Sequence, residues 1–392
     1  MIIADDDPFG LTGFGPVEAS RRPGEKWQLA GGRLASWVAD MDFPIAPAIV
    51  ERLTRRVAED VGYPTWADAG RSPLVDRFVE RMADRYGWSP DPARLHELAD
   101  VMQGVALAVH HLTSPGDGIV VHTPSYPPFL AVIAETGRSL VEIPAVSTSN
   151  GFVWDYDELD ERLGRPGTSR ARLWILCHPQ NPTGRVFARP ELERVAEIAS
   201  RHDLVVVSDE VHAELAHPGH DHVPFASVGP GAAERTLTLT SASKAFNLAG
   251  LRWAILHAGH KPLHDSIAAL PSHYLGTPNL LAVEATDAAW SESDEWLEAV
   301  RGLLDRNRRC LGERLAGNLP EIVYSPPEAT YLAWLDCRRL DLGDDPAATF
   351  RQRGVELAAG HRFGAGGAGF VRLNFATSPV VLDAIVERMA GP

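Results

Sequence analysis

Residues Thr238–Arg252, with the sequence TLTSASKAFNLAGLR, form the stretch around which the rest of the chain is interpreted. The chain has only three lysines, and among them Lys244 alone follows an apolar strand pattern and two serines. A lysine in this position can form a Schiff base with a carbonyl group. Ser241, Ser243 and Arg252 carry hydroxyl and guanidinium donors that bind phosphate. The stretch therefore predicts a site for a covalently held phosphate compound, and the simpler alternative is a solvated loop lysine.

The composition of the 392-residue chain is that of an ordinary soluble globular protein. Its formal net charge of −15 argues against sequence-independent nucleic-acid binding and against docking on anionic membranes. The sequence has no apolar run long enough to span a bilayer, and its N-terminus lacks the pattern of a signal peptide. The three cysteines show neither a disulfide framework nor a metal-binding spacing. We therefore expect a cytoplasmic protein without a metal site.

Seven short apolar runs alternate with helical patterns in the central part of the chain, which is typical of a mostly parallel sheet covered by helices on both faces. The predicted strands are residues 101–103, 118–122, 139–143, 172–177, 204–208, 235–240 and 253–257. The predicted helices before residue 278 are 46–60, 73–86, 126–135, 156–163 and 190–202, with one more that starts at Gly104. The fold class is therefore α/β, with a mostly parallel, seven-stranded sheet between helices.

The pattern changes near residue 278, where a long helical region with one break near Ser291 extends to residue 319. It is followed by predicted strands at 331–335 and 370–375 and by a helix at 380–389. This order indicates a smaller α+β domain. We expect residues 44–280 to form the large domain, and residues 1–43 (with an N-terminal arm) and 281–392 to form the small one.

Four polar side chains follow predicted strands, at the edge of an open α/β sheet where ligands bind. They are those of Tyr126, Asn181, Asp209 and Lys244. Each of the first three also has a simpler interpretation: packing under a loop, forming a turn, or capping a strand end. Their shared position favours one site, in which Tyr126 stacks on a flat cofactor and Asn181 donates to its phenolate oxygen. Asp209 would pair with a protonated ring nitrogen and keep the electron sink charged.

Two further features are weaker when taken alone. Gly104-Val105-Ala106 is predicted to begin a helix, whose free amides would bind phosphate, although such a glycine often serves packing only. Arg372 lies on an alternating strand. It either forms a surface ion pair or binds a substrate carboxylate through two parallel hydrogen bonds.

Two motifs do not fit the chemistry that they suggest. Residues 364–369, GAGGAG, have the spacing of a dinucleotide-binding loop, but a strand pattern follows them instead of a helix. Residues 212–222 are rich in histidine, but their spacing is not that of a zinc-binding helix. We expect neither nicotinamide nor zinc.

The set of motifs resembles that of the fold-type I pyridoxal-phosphate enzymes, the aspartate aminotransferase superfamily. Asn181-Pro182-Thr183-Gly184, Asp209, and Ser241-Ala242-Ser243-Lys244 with Arg252 appear in the order typical of that superfamily. Within it, residues 37–43 (WVADMDF), 208–212 (SDEVH) and 243–251 (SKAFNLAGL) are similar to the MalY/PatB-type cystathionine β-lyases. The position three after Asp209 is commonly Tyr in the aminotransferases and is His212 here, as in the lyase branch.

This resemblance implies a role for each matching residue. Lys244 would hold pyridoxal 5′-phosphate as a Schiff base and move protons at the substrate Cα. The residues that the resemblance assigns to cofactor binding are Gly104, Val105, Ala106, Tyr126, Asn181, Asp209, His212, Ser241, Ser243, Lys244, Arg252 and, from the partner subunit of a homodimer, Tyr63. Those that it assigns to the amino-acid substrate are Arg372, Ala39 and Asn181.

The activity that the resemblance implies is that of a homodimeric carbon–sulfur β-lyase acting on cystathionine or another cysteine S-conjugate. The products would be a thiol, pyruvate and ammonia. The alternatives are an aminotransferase that uses the same residues and a biosynthetic enzyme of this fold that acts on an unusual amino acid. A regulatory role through a protein partner belongs to a different class, and nothing in the sequence favours it.

Overall fold

The computed structural model describes residues 7–67, 71–148, 151–165, 170–271 and 274–391. The helices are α1 (Pro16–Ser20), α2 (Glu25–Gln28), α3 (Pro47–Glu59), α4 (Leu74–Tyr86), α5 (Val101–Leu112), α6 (Pro127–Glu135), α7 (Tyr156–Gly164), α8 (Arg189–Arg201), α9 (Pro230–Ala233), α10 (Lys261–Ala268), α11 (Leu280–Glu292), α12 (Asp294–Asn318), α13 (Pro346–Gln352) and α14 (Pro379–Ala390). The strands are β1 (Leu34–Ala35), β2 (Leu95–Leu98), β3 (Gly118–Thr123), β4 (Ser139–Thr148), β5 (Gly151–Trp154), β6 (Ala171–Cys177), β7 (Val205–Asp209), β8 (Thr236–Thr240), β9 (Ala254–Ala258), β10 (Val323–Tyr324), β11 (Leu332–Asp336), β12 (Val355–Glu356), β13 (Ala358–Ala359) and β14 (Phe370–Asn374).

The large sheet contains eight strands in the order β2-β9-β8-β7-β6-β3-β4-β5. The central pairs β8–β7, β7–β6, β6–β3 and β3–β4 are parallel, and the pairs nearer the edges are antiparallel. The predicted α/β class is confirmed. The sheet has one strand more than predicted, because the short β5, which pairs antiparallel with β4, was not among the predicted strands.

Strands β3, β7 and β8 are buried along their whole length, and β6 at all but one residue, since helices cover the sheet on both faces. On one face, side chains of α5, α6 and α10 pack with β2, β8 and β9. On the other face, α7 and α8 pack around Trp174, a fully buried side chain of β6. A strand covered on both faces favours a continuous apolar run, and VVV in β7 is such a run.

The predicted start of helix α5 is wrong. The strand is β2, six residues earlier than predicted, and α5 begins at Val101 with Asp100 as its N-cap. Gly104 is the fourth residue of the helix, past its first turn, and is buried, with Val105, against the sheet. A Cβ at Gly104 would lie 2.3 Å from Leu239 Cδ2, so a glycine is required there for close packing of helix on strand. Gly104, Val105 and Ala106 therefore do not present the first amides of the helix.

The C-terminal part of the chain forms a second, four-stranded antiparallel sheet in the order β10-β11-β14-β13. β11 and β14 were predicted to be half-buried or alternating, but both are buried almost throughout because helices and the N-terminal segment cover them. Helix α11 packs against α3, and β1 pairs with β12. The β1–β12 pair joins the N-terminal part of the chain to its C-terminal part. The division into one domain of residues 1–43 and 281–392 and another of residues 44–280 stays a prediction.

Candidate active site

The functional side chains meet at the carboxyl ends of neighbouring parallel strands. Asp209 is the last residue of β7, Asn181 lies four residues after β6, Tyr126 three residues after β3, and Lys244 four residues after β8. These strands are adjacent in the order β8-β7-β6-β3. They surround a cavity of about 200 Å³ whose lining is formed by Ala39, Ala99, Asp100, Val101, Met102, Tyr126, Cys177, Asn181, Asp209, Val211, His212, Ser241, Ser243, Lys244, Ala249, Arg252 and Trp253.

Lys244 points into this cavity, and its Nζ donates to the backbone oxygen of Ala39 at 2.9 Å. Burial lowers the pKa of Lys244. The Asp40 carboxylate opposes this change, and the Arg372 guanidinium adds to it. An amine with a lowered pKa has a larger neutral fraction near pH 7, and the neutral form is the one that acts as nucleophile or base.

Asp209 is a buried carboxylate at the floor of the cavity. Its Oδ1 accepts a hydrogen bond from the Val211 amide at 3.1 Å. Burial nevertheless raises the pKa of Asp209 to about 7, and the neighbouring Glu210 contributes in the same direction. A buried carboxylate that is so poorly compensated within the chain fits a cationic ligand group, such as a protonated pyridine nitrogen.

Tyr126 and His212 form two sides of the same cavity. Tyr126 packs its ring edge-on against Phe129, with 5.4 Å between ring centroids, and lines the cavity. His212 is buried, and its Nδ1 has no hydrogen-bond partner among the described residues. Burial lowers the pKa of His212 to about 3, so the imidazole is neutral at physiological pH and can accept or donate one hydrogen bond to a ligand.

Arg372 reaches the cavity through Asn181. Its Nη1 donates to Asn181 Oδ1 at 3.0 Å, its Nη2 donates to the Trp37 backbone oxygen at 2.8 Å, and its guanidinium lies over the Phe363 ring. Burial lowers the pKa of Arg372 to about 10, and its Nε has no hydrogen-bond partner in the described part of the chain. A buried guanidinium with neutral partners only is suited to bind a carboxylate.

The phosphate-binding candidates Ser241, Ser243 and Arg252 all line the same cavity. The Ser241 hydroxyl donates to the Trp253 backbone oxygen at 2.5 Å and accepts from the Ser243 amide at 3.1 Å. Arg252 pairs with Asp100. The first residues of helix α5, Val101 and Met102, line the cavity here. Their amides take the place that the sequence analysis gave to residues 104–106.

The structure brings together most of the predicted site residues, but not all of them. Ala39, Tyr126, Asn181, Asp209, His212, Ser241, Ser243, Lys244 and Arg252 line one cavity. Gly104, Val105 and Ala106 do not line it, for the reason given above. Tyr63 lies on a loop and is 99% exposed in the single chain, so any role in this site requires a second subunit.

Sequence reasoning missed Tyr331 and Asp100. Tyr331 is fully buried, and its hydroxyl donates to the Ala39 backbone oxygen at 2.7 Å. No local pattern identifies it, because 292 residues separate the two partners. Asp100 could have been found: an aspartate three residues before Gln103 is a helix-start signature, and Asp100 Oδ1 does accept from the Gln103 amide at 2.7 Å.

None of the helices in the described ranges of the chain is both long and apolar enough to cross a membrane. Over the same ranges, no group of three or more His, Cys, Asp or Glu side chains is placed to hold a metal ion.

Comparison with known proteins agrees with this geometry. Residues 55–389 match the family model for aminotransferase class I and II. The chain is 33% identical to cystathionine β-lyase PatB of Bacillus subtilis (93% of this chain, 95% of PatB) and 33% identical to a cystathionine β-lyase of Corynebacterium glutamicum (91% and 93%). The crystal structure of cystalysin from Treponema denticola, which contains pyridoxal 5′-phosphate, matches with a TM-score of 0.85 and 28% identity, covering 94% of this chain and 95% of cystalysin.

The side chains that line the cavity are themselves suited to bind that cofactor. The cavity has one lysine for the aldehyde, a buried carboxylate with a raised pKa for the ring nitrogen, and amides, hydroxyls and a guanidinium for the phosphate. The chain belongs to the aminotransferase class I and II family, the fold-type I pyridoxal-phosphate enzymes that its sequence resembles.

Proposed function

We propose that this chain is a pyridoxal-phosphate-dependent carbon–sulfur β-lyase that cleaves cystathionine or a related cysteine S-conjugate. The observation that carries the choice of reaction is the set of relatives named cystathionine β-lyase, which match more than nine-tenths of the chain. For cystathionine the balance is substrate plus water giving homocysteine, pyruvate and ammonia. The cofactor, when bound, supplies the electron sink that stabilises negative charge at the substrate Cα.

Lys244 has two tasks in this proposal. Its amine would hold the cofactor covalently, and as a free amine it would remove the proton from the substrate Cα. The second task needs a neutral amine, which the burial of Lys244 favours by lowering its pKa. The Ala39 carbonyl, 2.9 Å from Nζ, gives the free amine a fixed position at the edge of the cavity.

Arg372 and Asn181 orient the substrate. The Arg372 guanidinium is held by Asn181 Oδ1 and the Trp37 carbonyl, and stacking over Phe363 fixes its plane. The substrate carboxylate would bind to this guanidinium, whose charge acts on Lys244, so that the substrate would be held beside the Lys244 amine. The thiolate would then leave from Cβ. Water hydrolysis then completes the formation of pyruvate and ammonia.

We also propose that the active form is a homodimer in which Tyr63 of one subunit contributes to the phosphate end of the other site. The support is the exposure of three large apolar side chains, that of Val57 in the last turns of α3 and those of Val61 and Tyr63 in the loop that follows it. The molecular mass of the protein in solution, measured by sedimentation, should be twice that of one chain. A monomer at micromolar concentration would contradict this part of the proposal.

The reaction is tested by incubating the cofactor-loaded protein with cystathionine in the absence of any keto acid. A lyase forms pyruvate and homocysteine in equal amounts over many turnovers. An aminotransferase, the second candidate because the family model carries that description, stops after one half-reaction until a keto acid is added. Turnover that depends on an added keto acid would overturn the lyase proposal and leave the cofactor assignment intact.

A further inference from the structure

Asp100 contacts both of the groups that would hold the cofactor phosphate. Its Oδ1 accepts from the Gln103 amide at 2.7 Å and so caps the N-terminus of α5. Its Oδ2 pairs with Arg252 Nη2. Asp100 and Arg252 both line the cavity, together with Val101 and Met102. The chain thus places a carboxylate of its own against the helix terminus and the guanidinium that a phosphate group requires.

The charges at this end of the cavity leave little excess positive potential. Arg252 is the one arginine among the residues that line the described cavity, and Lys244 is the one lysine. A helix N-terminus contributes roughly half a positive charge. The Asp100 carboxylate largely neutralises the guanidinium before any ligand arrives. A phosphate dianion that enters must then share Arg252 with this carboxylate and meets its repulsion at short range.

The capping contact shows why the carboxylate stays near the phosphate position. The Gln103 side chain accepts from the Ala99 amide at 2.7 Å, so Asp100 and Gln103 together fix the start of α5. Arg252, in contrast, has a side chain that is 62% exposed and can change its partner. Asp100 is therefore held by two hydrogen-bonded contacts at the helix start, whereas the exposed Arg252 guanidinium has room to contact a phosphate as well.

We propose that Asp100 competes with the cofactor phosphate for Arg252 and thereby sets a low affinity for the cofactor in this chain. This inference rests on the cofactor assignment and not on which reaction follows. It makes Asp100 a residue that determines cofactor affinity, with no contact to the reacting atoms. The competition acts on the phosphate alone, so it affects pyridoxal phosphate and inorganic phosphate but not pyridoxal.

The test is Asp100→Asn, because the amide oxygen of asparagine can still cap α5 while the negative charge is lost. Dissociation constants for pyridoxal phosphate and for pyridoxal are measured on the full-length chain stripped of cofactor, by absorbance and tryptophan fluorescence. We expect Asp100→Asn to bind pyridoxal phosphate roughly tenfold more tightly, with unchanged affinity for pyridoxal. Inorganic phosphate should raise the melting temperature of the stripped variant more than that of the stripped wild type.

Two controls locate the effect. Asp155→Asn alters a cap of the same kind at α7, where Asp155 accepts from the Glu158 amide at 2.9 Å, and it should leave both dissociation constants unchanged. When Arg252 is already replaced by Gln, Asp100→Asn should give little increase in affinity for pyridoxal phosphate, because Arg252 is the group for which Asp100 and the phosphate compete.

Equal or weaker binding of pyridoxal phosphate by Asp100→Asn would overturn the proposal, and weaker binding would mean that Asp100 instead orients Arg252. A wild-type chain that binds neither pyridoxal phosphate nor pyridoxal would contradict the cofactor assignment itself. The two failures are therefore distinguishable.

Discussion

Lys244 and Tyr331 donate hydrogen bonds to the same backbone oxygen, that of Ala39, at 2.9 and 2.7 Å. The segment that carries this oxygen is held in place by Asn374, whose Nδ2 donates to the Val38 and Asp40 carbonyls at 2.6 and 2.7 Å. The position of the Lys244 side chain, which follows β8 of the large sheet, is therefore fixed in part from the small sheet. This contact links the two sheets at Lys244.

Replacing Tyr331 by Phe is expected to raise the pKa of Lys244. The Ala39 oxygen loses a competing donor, so its hydrogen bond to the charged ammonium becomes stronger and favours the protonated amine. The measurement is the rate at which the stripped protein captures pyridoxal phosphate as a function of pH. The pH at which this rate reaches half its maximum should move upward in Tyr331→Phe.

Tyr324→Phe is the matched control for this variant. The Tyr324 hydroxyl also donates to a backbone oxygen, that of Arg308 at 3.0 Å, and it lies outside the cavity lining. Both variants should lose about 1 kcal/mol of unfolding free energy from one hydrogen bond. Only Tyr331→Phe should change the pH profile, and an equal change in both variants would mean that Tyr331 acts through stability alone.

Lys244→Ala should abolish covalent attachment of the cofactor. The other binding groups remain, so the variant should still bind pyridoxal phosphate but show no adduct in the mass spectrum after borohydride reduction. Turnover should fall by roughly a thousandfold or more, because the base at Cα is lost. Lys261→Ala is the control, since Lys261 is exposed and pairs with Asp265 at 2.5 Å on the surface. An adduct that persists in Lys244→Ala would place the attachment at another lysine.

Gly104→Ala should destabilise the fold without weakening phosphate binding in the folded protein. The new methyl group would lie 2.3 Å from Leu239 Cδ2 and 3.0 Å from Leu98 Cδ1, and relieving such overpacking costs about 1–3 kcal/mol. Chemical denaturation measures the loss. Gly302→Ala in α12 has open space around its Cβ and should be neutral or slightly stabilising. If Gly104→Ala instead lowers the affinity of the folded protein for the cofactor, then Gly104 does take part in phosphate binding.

The contrast between Gly104 and Asp209 shows which parts of the site the sequence could predict. Asp209, Asn181 and Lys244 were found because each follows an apolar central strand, and parallel strands bring such positions to one edge. The strand before Gly104 was misplaced because β2 is an edge strand, with the sequence LHEL and only its last residue fully buried. The first turn of α5 is more apolar than β2, so the strand was predicted at that turn instead of at residues 95–98.

Tyr331 illustrates a second limit. Its partner Ala39 lies 292 residues earlier in the chain, and the contact depends on how the N-terminal segment crosses β14. Hydrophobic periodicity reports which face of a strand is covered but not which distant carbonyl a hydroxyl will reach. Lys26 is a similar case: a polar sequence surrounds it, yet it is buried in an ion pair with Asp42 at 3.0 Å.

Arg372→Lys should lower kcat/KM for amino-acid substrates by roughly 10- to 100-fold. An ammonium cannot contact Asn181, the Trp37 carbonyl and both oxygens of a substrate carboxylate in one plane, as the guanidinium can. Cofactor absorbance should remain unchanged. Arg338→Lys is the control, because Arg338 also lies over a phenylalanine ring, at 4.9 Å, but is exposed and away from the cavity. Unchanged substrate kinetics in Arg372→Lys would remove Arg372 from substrate binding.

Asp209→Asn should stabilise the cofactor-free protein at high pH and not at low pH. The pKa of Asp209 rises from its ordinary value of 3.8 to about 7 in the folded chain, so folding takes up a proton between these values and stability falls as pH rises from 4 to 7. The pKa difference of about three units corresponds to a loss of at most ~4 kcal/mol of unfolding free energy above pH 7. Asparagine avoids this loss because it carries no charge. Denaturation of the stripped proteins at pH 4.5 and pH 8 measures this.

Binding of pyridoxal phosphate should reverse the order of stability of the wild type and Asp209→Asn at pH 8. In the loaded wild type, a protonated ring nitrogen would stabilise the Asp209 carboxylate as the proposal requires, and asparagine could not replace that charge. Pyridoxal phosphate should therefore raise the melting temperature of the wild type more than that of Asp209→Asn at pH 8. If asparagine weakens the stripped protein at pH 8, or leaves the cofactor-induced stabilisation undiminished, then Asp209 is a structural residue and the ring nitrogen has another partner.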